Sequence, residues 1–150
     1  MTDLVLVVED SDEDIEAIAR AIGRSHPEVR LEFLRSGTGV LPRLNDTGQA
    51  RPGLVLLDLN MPGEGGLDVI RRVRANAVFE ALRLVVFTSS ENQAEAEACY
   101  AAGADSYIYK PINFALFQSV LAQTLDYWRS RTPNVTQMVV PPPGESSAQA

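Results

Sequence analysis

Five short apolar runs, each followed by a stretch of helical period, leave few folds open to this chain. Leu4 to Val8, Leu54 to Leu57 and Leu84 to Phe87 are continuous and rich in Val and Leu, as parallel strands covered on both faces require. Val29, Leu31 and Phe33 alternate with charged residues, and Tyr107 to Lys110 follows a Gly-Ala-Asp turn, so these two read as strands nearer an edge. Between the strands, Ile15, Ile18, Ala19 and Ile22 recur at helical spacing, with Ser11 placed as N-cap and Gly23 as the stop. Val40, Leu41 and Leu44 mark a weaker second helix, and Leu67, Ile70 and Val73 a third after the Gly-rich turn Met61 to Gly66. A fourth runs from Gln93 to Ala102 behind a capping box of Ser90 and Gln93, and a fifth from Asn113 to Arg131. Strand then helix, five times over, builds under the right-handed crossover rule an α/β fold: a doubly wound five-stranded parallel sheet with helices on both faces.

At 150 residues there is room for one such domain and little more. The domain is expected to occupy residues 1–131. The segment 132–150 holds four of the nine prolines and a single charge, Glu145, and reads as a tail. The early apolar run is five residues long and lacks a basic flank, so it is neither a secretory leader nor a membrane span. One cysteine, Cys99, cannot form an internal disulfide, and the cytoplasm is the expected compartment. Thirteen basic residues against 20 acidic ones give a net charge of −7, opposite to the footprint of a protein that neutralises nucleic-acid phosphates. Of the basic residues only Lys110 is a lysine, which suggests a position where a compact ammonium is needed and a planar guanidinium will not serve.

In an open α/β sheet, ligands gather beyond the carboxyl ends of the strands. Here strand one ends in Glu9 and Asp10, strand three in Asp58, strand four in Thr88 and Ser89, and strand five in Lys110 before Pro111. Each alone has an ordinary explanation as a cap or turn residue. Together at one edge they have matched chemistry. Three carboxylates within roughly 4 to 6 Å repel by a few kcal/mol per pair, so a cation is required, and an oxygen-only ligand set favours Mg²⁺. Asp58 would lie between that ion and Lys110, beside the Thr88 hydroxyl, where a carboxylate can attack phosphorus and form an aspartyl phosphate.

The runs Val8-Glu9-Asp10, Leu56-Leu57-Asp58-Leu59-Asn60-Met61-Pro62, Phe87-Thr88-Ser89 and Tyr107-Ile108-Tyr109-Lys110-Pro111 resemble the response regulator receiver domain, the phospho-accepting half of a two-component system, over residues 3 to 131. The resemblance implies a flavodoxin-like strand order 2-1-3-4-5 and a phosphoryl group received on Asp58 from a sensor histidine kinase. It implies Mg²⁺ held by Glu9, Asp10, Asp58 and the Asn60 backbone carbonyl. Thr88, with Ser89, becomes the phosphate-sensing hydroxyl position, Lys110 the phosphate-binding cation, Pro111 a cis-proline candidate and Tyr107 a rotating aromatic switch. Asn60 and Ser90 match positions that tune dephosphorylation. With no output domain in its length, the chain resembles a stand-alone receiver. The Asp-Leu-Asn-Met-Pro wording, the Tyr127-Trp128 close and the tail are similar to regulators paired with bacteriophytochrome kinases. The alternatives are a flavodoxin-like binding module, whose phosphate would be repelled by the acidic loop after strand one, and a degenerate receiver acting without phosphorylation.

Other residues carry plainer expectations. Cys99 reads as a small packed side chain, His26 as a surface residue, and Arg71, Arg72 and Arg74 as a solvated helix face. In the fifth helix, Phe114, Phe117, Leu121, Leu125 and Trp128 form one row while Leu116, Val120 and Tyr127 lie on other faces, more apolar surface than one sheet face covers. The tail adds Val135, Met138, Val139 and Val140 before Pro141 to Pro143. The expectation is a homodimer in which Phe117, Leu121, Tyr127 and Trp128 meet that tail as an arm across the partner.

Overall fold

The computed structural model describes residues 3–61 and 64–130. Strands β1 (Leu4–Val8), β2 (Arg30–Leu34), β3 (Leu54–Leu57), β4 (Arg83–Thr88) and β5 (Ser106–Tyr109) alternate with helices α1 (Asp12–Ser25), α2 (Val40–Leu44), α3 (Gly66–Arg74), α4 (Gln93–Ala102) and α5 (Phe114–Ser130). The strands pair in parallel in the order 2-1-3-4-5. Successive side chains of a strand point to opposite faces, and here both faces are dry. Leu6, Val8, Val55, Leu57, Leu84 and Val86 meet Val69, Ile70 and Val73 of α3 and Ala96 and Cys99 of α4. Val5, Val7, Leu54, Leu56, Val85 and Phe87 meet Ile18, Ala21 and Ile22 of α1 and Phe117, Leu121 and Leu125 of α5. Each of the larger buried side chains contributes about 1.5–3 kcal/mol of transfer free energy, which is why the central strands are unbroken apolar runs. Among the described residues no helix is long and apolar enough to cross a membrane.

Register brings the strand ends level. Val8 pairs with both Leu34 and Leu57, Leu57 with Val86, and Thr88 with Tyr109. The ladder continues one step past the apolar run at the chemical positions: Glu9 N–H donates to Leu34 O (2.9 Å), Asp58 N–H to Val8 O (3.0 Å) and Lys110 N–H to Thr88 O (2.7 Å).

Two helix boundaries differ from expectation. Gly23 does not stop α1, which runs on to Ser25 and closes with His26 N–H on Ile22 O. A glycine in a helix costs roughly 0.5–1 kcal/mol relative to alanine, and packing of Ile18, Ala21 and Ile22 offsets it. The N-cap of α4 is Asn92, whose side chain accepts from Glu95 N–H, not Ser90; the Ser90 hydroxyl instead donates to the Glu95 carboxylate. Two polar residues also prove structural. His26 is buried, with Nδ1 against Ser25 Oγ (2.8 Å) and Nε2 against Asp126 Oδ1 (2.8 Å), so it ties α1 to α5 rather than facing water. Arg74 leaves its exposed neighbours Arg71 and Arg72 and bonds Gly103 O, Phe79 O and Leu82 O (2.8 Å each) and Asp105 Oδ2 (2.9 Å). Its stem lies against Gly103, where φ is +117° and an added Cβ would stand 2.5 Å from Arg74 Cγ.

Candidate functional site

Glu9, Asp10 and Asp58 converge at the carboxyl edge of β1 and β3, each offering an oxygen within 4.8 Å of the others. Glu9 and Asp58 are buried. The Glu9 carboxylate is fixed on one oxygen by the Asp10 and Ser11 amides (3.1 Å each) and on the other by the Lys110 ammonium (2.6 Å). Burial raises Glu9 above the ordinary carboxylate range, and the negative charge of Asp58 adds to the rise, against the lowering by Lys110 and the Ser11 amide. A hard divalent cation fits this set: three oxygen donors, no nitrogen or sulfur, and an excess of negative charge at close range.

Lys110 approaches from β5. Its Nζ lies 2.6 Å from Glu9 Oε1, 2.7 Å from Asp14 Oδ2 and 3.8 Å from Asp58 Oδ2, and 5.7 Å from the Phe87 ring centroid. Burial alone would lower its pKa, yet hydrogen bonds to Asp14 and Glu9 and the charges around it leave it raised, so the group is a fixed cation. Nothing in the sequence pattern singles out Asp14 as a partner. It sits in the first turn of α1, held there by the Ser11 hydroxyl accepting from its N–H (3.3 Å).

The hydroxyl side of the edge is equally ordered. Thr88 is fully buried and its Oγ1 accepts from Ser90 N–H (3.3 Å). Tyr107 lies inside, 1% exposed, its hydroxyl donating to Ser90 O (2.9 Å) and its N–H to the Tyr100 hydroxyl (3.1 Å); burial raises its pKa. The aromatic proposed to rotate thus occupies its inner position already. Ser89 and Asn60 are exposed. The Lys110–Pro111 bond is trans, as are all described peptide bonds, so Pro111 is not a cis proline; trans is favoured by about 0.5–1 kcal/mol at X–Pro. Gly66 opens α3 hard against Asp58: a Cβ there would come within 2.9 Å of the Asp58 carbonyl oxygen and of Leu59 Cα, a constraint that nothing in a Gly-Gly pair announces.

This arrangement matches a known family over most of the chain. Residues 5–122 match the response regulator receiver domain. The chain belongs to that family. Its receiver relatives include the probable methanogenesis regulatory protein FilR2 of Methanothrix harundinacea, 30% identical over 83% of this chain and 83% of that protein. Response regulator Rcp1 of Synechocystis is 31% identical over 78% of this chain and 83% of its own length, and a Mn²⁺-bound Rcp1 structure superposes at a TM-score of 0.76 with 26% identity, covering 89% of this chain and 99% of that one. The phosphorylated cyanobacterial phytochrome response regulator RcpA superposes at 0.80 with 25% identity, covering 86% and 95%. Receiver membership removes the flavodoxin-like alternative.

The receiver's fifth helix corrects part of the expected dimer surface. Phe117 and Leu121 are 6% and 0% exposed, spent on the chain's own core, and Trp128 donates to Ser106 Oγ (3.1 Å) beneath the Arg83 guanidinium. Tyr127 is half-buried, edge-on to Trp128. Among the described residues of α5, Leu116 is the large apolar side chain left exposed. Val135, Met138, Val139 and Val140 lie outside the described residues.

Proposed function

We propose that this receiver takes a phosphoryl group onto Asp58 from the phosphohistidine of a sensor histidine kinase, with Mg²⁺ held by Glu9, Asp10, Asp58 and the Asn60 carbonyl. The observation that carries this reading is the carboxylate trio within 4.8 Å with the Lys110 ammonium beside it, 3.8 Å from Asp58. A carboxylate oxygen of Asp58 attacks phosphorus, the P–N bond breaks, and the imidazole leaves to take a proton from solvent. Mg²⁺, when bound, supplies charge neutralisation to the acidic trio and to the incoming phosphoryl oxygens. Glu9, fixed by two amides, and Asp10 hold the acidic pocket in place; Lys110 stabilises the phosphoryl oxygens on the opposite side.

The phosphorylated form switches partners through Thr88. Its hydroxyl leaves Ser90 N–H for a phosphoryl oxygen, the Ser90 carbonyl that accepts from Tyr107 shifts, and the face of α4, β5 and α5 is repacked. Ser90 and Asn60 set the lifetime of the acyl phosphate. Likeness to RcpA, a phytochrome response regulator, supports a bacteriophytochrome-type kinase as the donor, in the cytoplasm, with no nucleic acid or membrane bound directly. A homodimer through α5 and the arm 132–150 completes the reading.

The test is mass spectrometry after incubation with acetyl phosphate. A gain of one phosphoryl mass with Mg²⁺ and none with EDTA is expected; a degenerate receiver shows no gain in either. Thr88→Ala should still gain the mass but lose the difference in partner affinity between the two forms.

A further inference from the structure

Three of the groups around Lys110 are anionic, and they are not equivalent. Glu9 is locked by backbone amides and 2% exposed. Asp58, the acceptor, stands 3.8 Å from Nζ, outside hydrogen-bond range. Asp14 takes the ammonium at 2.7 Å, keeps a side chain 35% exposed, and is not among the three carboxylates that converge as metal ligands. Two short charge-assisted bonds, to Glu9 and Asp14, therefore fix where the ammonium points. Two of its three N–H donors are thereby taken, so swinging the ammonium toward a phosphoryl group on Asp58 strains the bond to one or the other. Glu9 cannot follow it. Asp14, on the open flank of α1, can be released and take up water.

We infer that Asp14 is a positioning residue that holds Lys110 back from Asp58 and competes with the phosphoryl group for it. This rests on the phosphoacceptor reading of Asp58. Asp14 also lines an open cavity of about 330 Å³ with Glu13, Ser89, Lys110 and Pro111, so an anionic phosphodonor reaching Lys110 by that side meets Asp14 first. The carboxylate thus weakens capture of the donor twice, by its own charge and by occupying the cation that would bind it. Removing the charge frees Lys110 without touching the metal ligands or the helix cap, because the bond to Ser11 uses the Asp14 backbone.

The chain's single lysine allows the placement to be followed directly. In metal-free protein labelled with ¹⁵N-lysine, hydrogen exchange of the one side-chain ammonium should be slow in wild type and faster by roughly tenfold in Asp14→Asn. With Mg²⁺ present, Asp14→Asn should reach half-maximal labelling at an acetyl phosphate concentration roughly three- to tenfold lower, as expected from the loss of one partly exposed ion pair, with the saturating rate near wild type. Glu13→Gln makes the same change in charge on the same cavity and should shift neither readout by more than about twofold. An unchanged Asp14→Asn in both measurements, or equal shifts in Asp14→Asn and Glu13→Gln, overturns the inference while wild-type labelling upholds the phosphoacceptor reading. Wild type that takes up no phosphoryl group overturns both.

Discussion

Replacing Asp10 with Asn should make the metal-free protein more stable and the Mg²⁺-loaded protein less so. The three carboxylates come within 4.8 Å, and at an effective dielectric of about 20 a pair of unit charges at that separation repels by about 3.5 kcal/mol. Lys110 offsets this for Glu9, at 2.6 Å, and less so for Asp58, at 3.8 Å. Among the described residues Asp10 has no such partner, and it is the most solvent-open of the three, so water screens its share to about 1–2 kcal/mol. For a chain of this size 1 kcal/mol corresponds to about 3 °C, and Asp10→Asn should melt about 3–6 °C above wild type in EDTA. With Mg²⁺ at one hundred times its Kd, wild type gains about 2.7 kcal/mol and overtakes the variant, which has lost a ligand. Thermal melts followed by circular dichroism, with EDTA and with a Mg²⁺ series, measure both. A variant that melts below wild type in EDTA, or equal Mg²⁺ shifts in the two proteins, would refute the reasoning that this cluster stores repulsion for a cation.

Two further outcomes test the core around the site. Burial pushes the Cys99 thiol up to about 11; the native state then holds a proton the unfolded chain has released, so this contribution to stability is present below the ordinary thiol range and is lost as pH rises toward 11. Cys99→Ala should flatten the alkaline limb of a stability–pH curve measured by urea unfolding, and iodoacetamide at pH 8 should modify native protein orders of magnitude more slowly than unfolded protein; prompt labelling of the native thiol would contradict its burial. Arg74→Met strips partners from three carbonyls and from Asp105, which burial already raises, and should cost about 2–4 kcal/mol in urea unfolding, with part recovered in the double variant with Asp105→Asn. A loss below about 0.5 kcal/mol would return Arg74 to the solvated face expected of it.

The residues that read clearly in the sequence are those whose type and place agree. Val and Leu runs can only be strands covered twice, and an acid, a hydroxyl or a lysine directly after such a run stands at the carboxyl edge of the sheet; register then aligns Glu9, Asp58, Thr88 and Lys110 without further information. Asp14 was hidden because an acid in the first turn of a helix is already explained by the helix dipole, so nothing locally hints at a lysine 96 residues away. Arg74 was hidden among three arginines in four positions, where only the third dimension separates the one that turns inward. His26, beside a proline in a connection, looked exposed for want of a local partner; Asp126 comes from the far end of the chain. The inward row of α5 is legible, but its surplus is smaller than the helical wheel implies, because Val120 also packs against the core on the α1 and α5 face.

The claim on which the rest depends is that Asp58 carries the phosphoryl group. Borohydride reduces an acyl phosphate to the alcohol, so protein treated with acetyl phosphate and Mg²⁺, reduced and digested, should show homoserine in place of aspartate at residue 58 and at no other acid. Homoserine at Asp10 or Glu9 (as the corresponding longer alcohol), or an unreduced peptide from protein that had gained the phosphoryl mass, would contradict it.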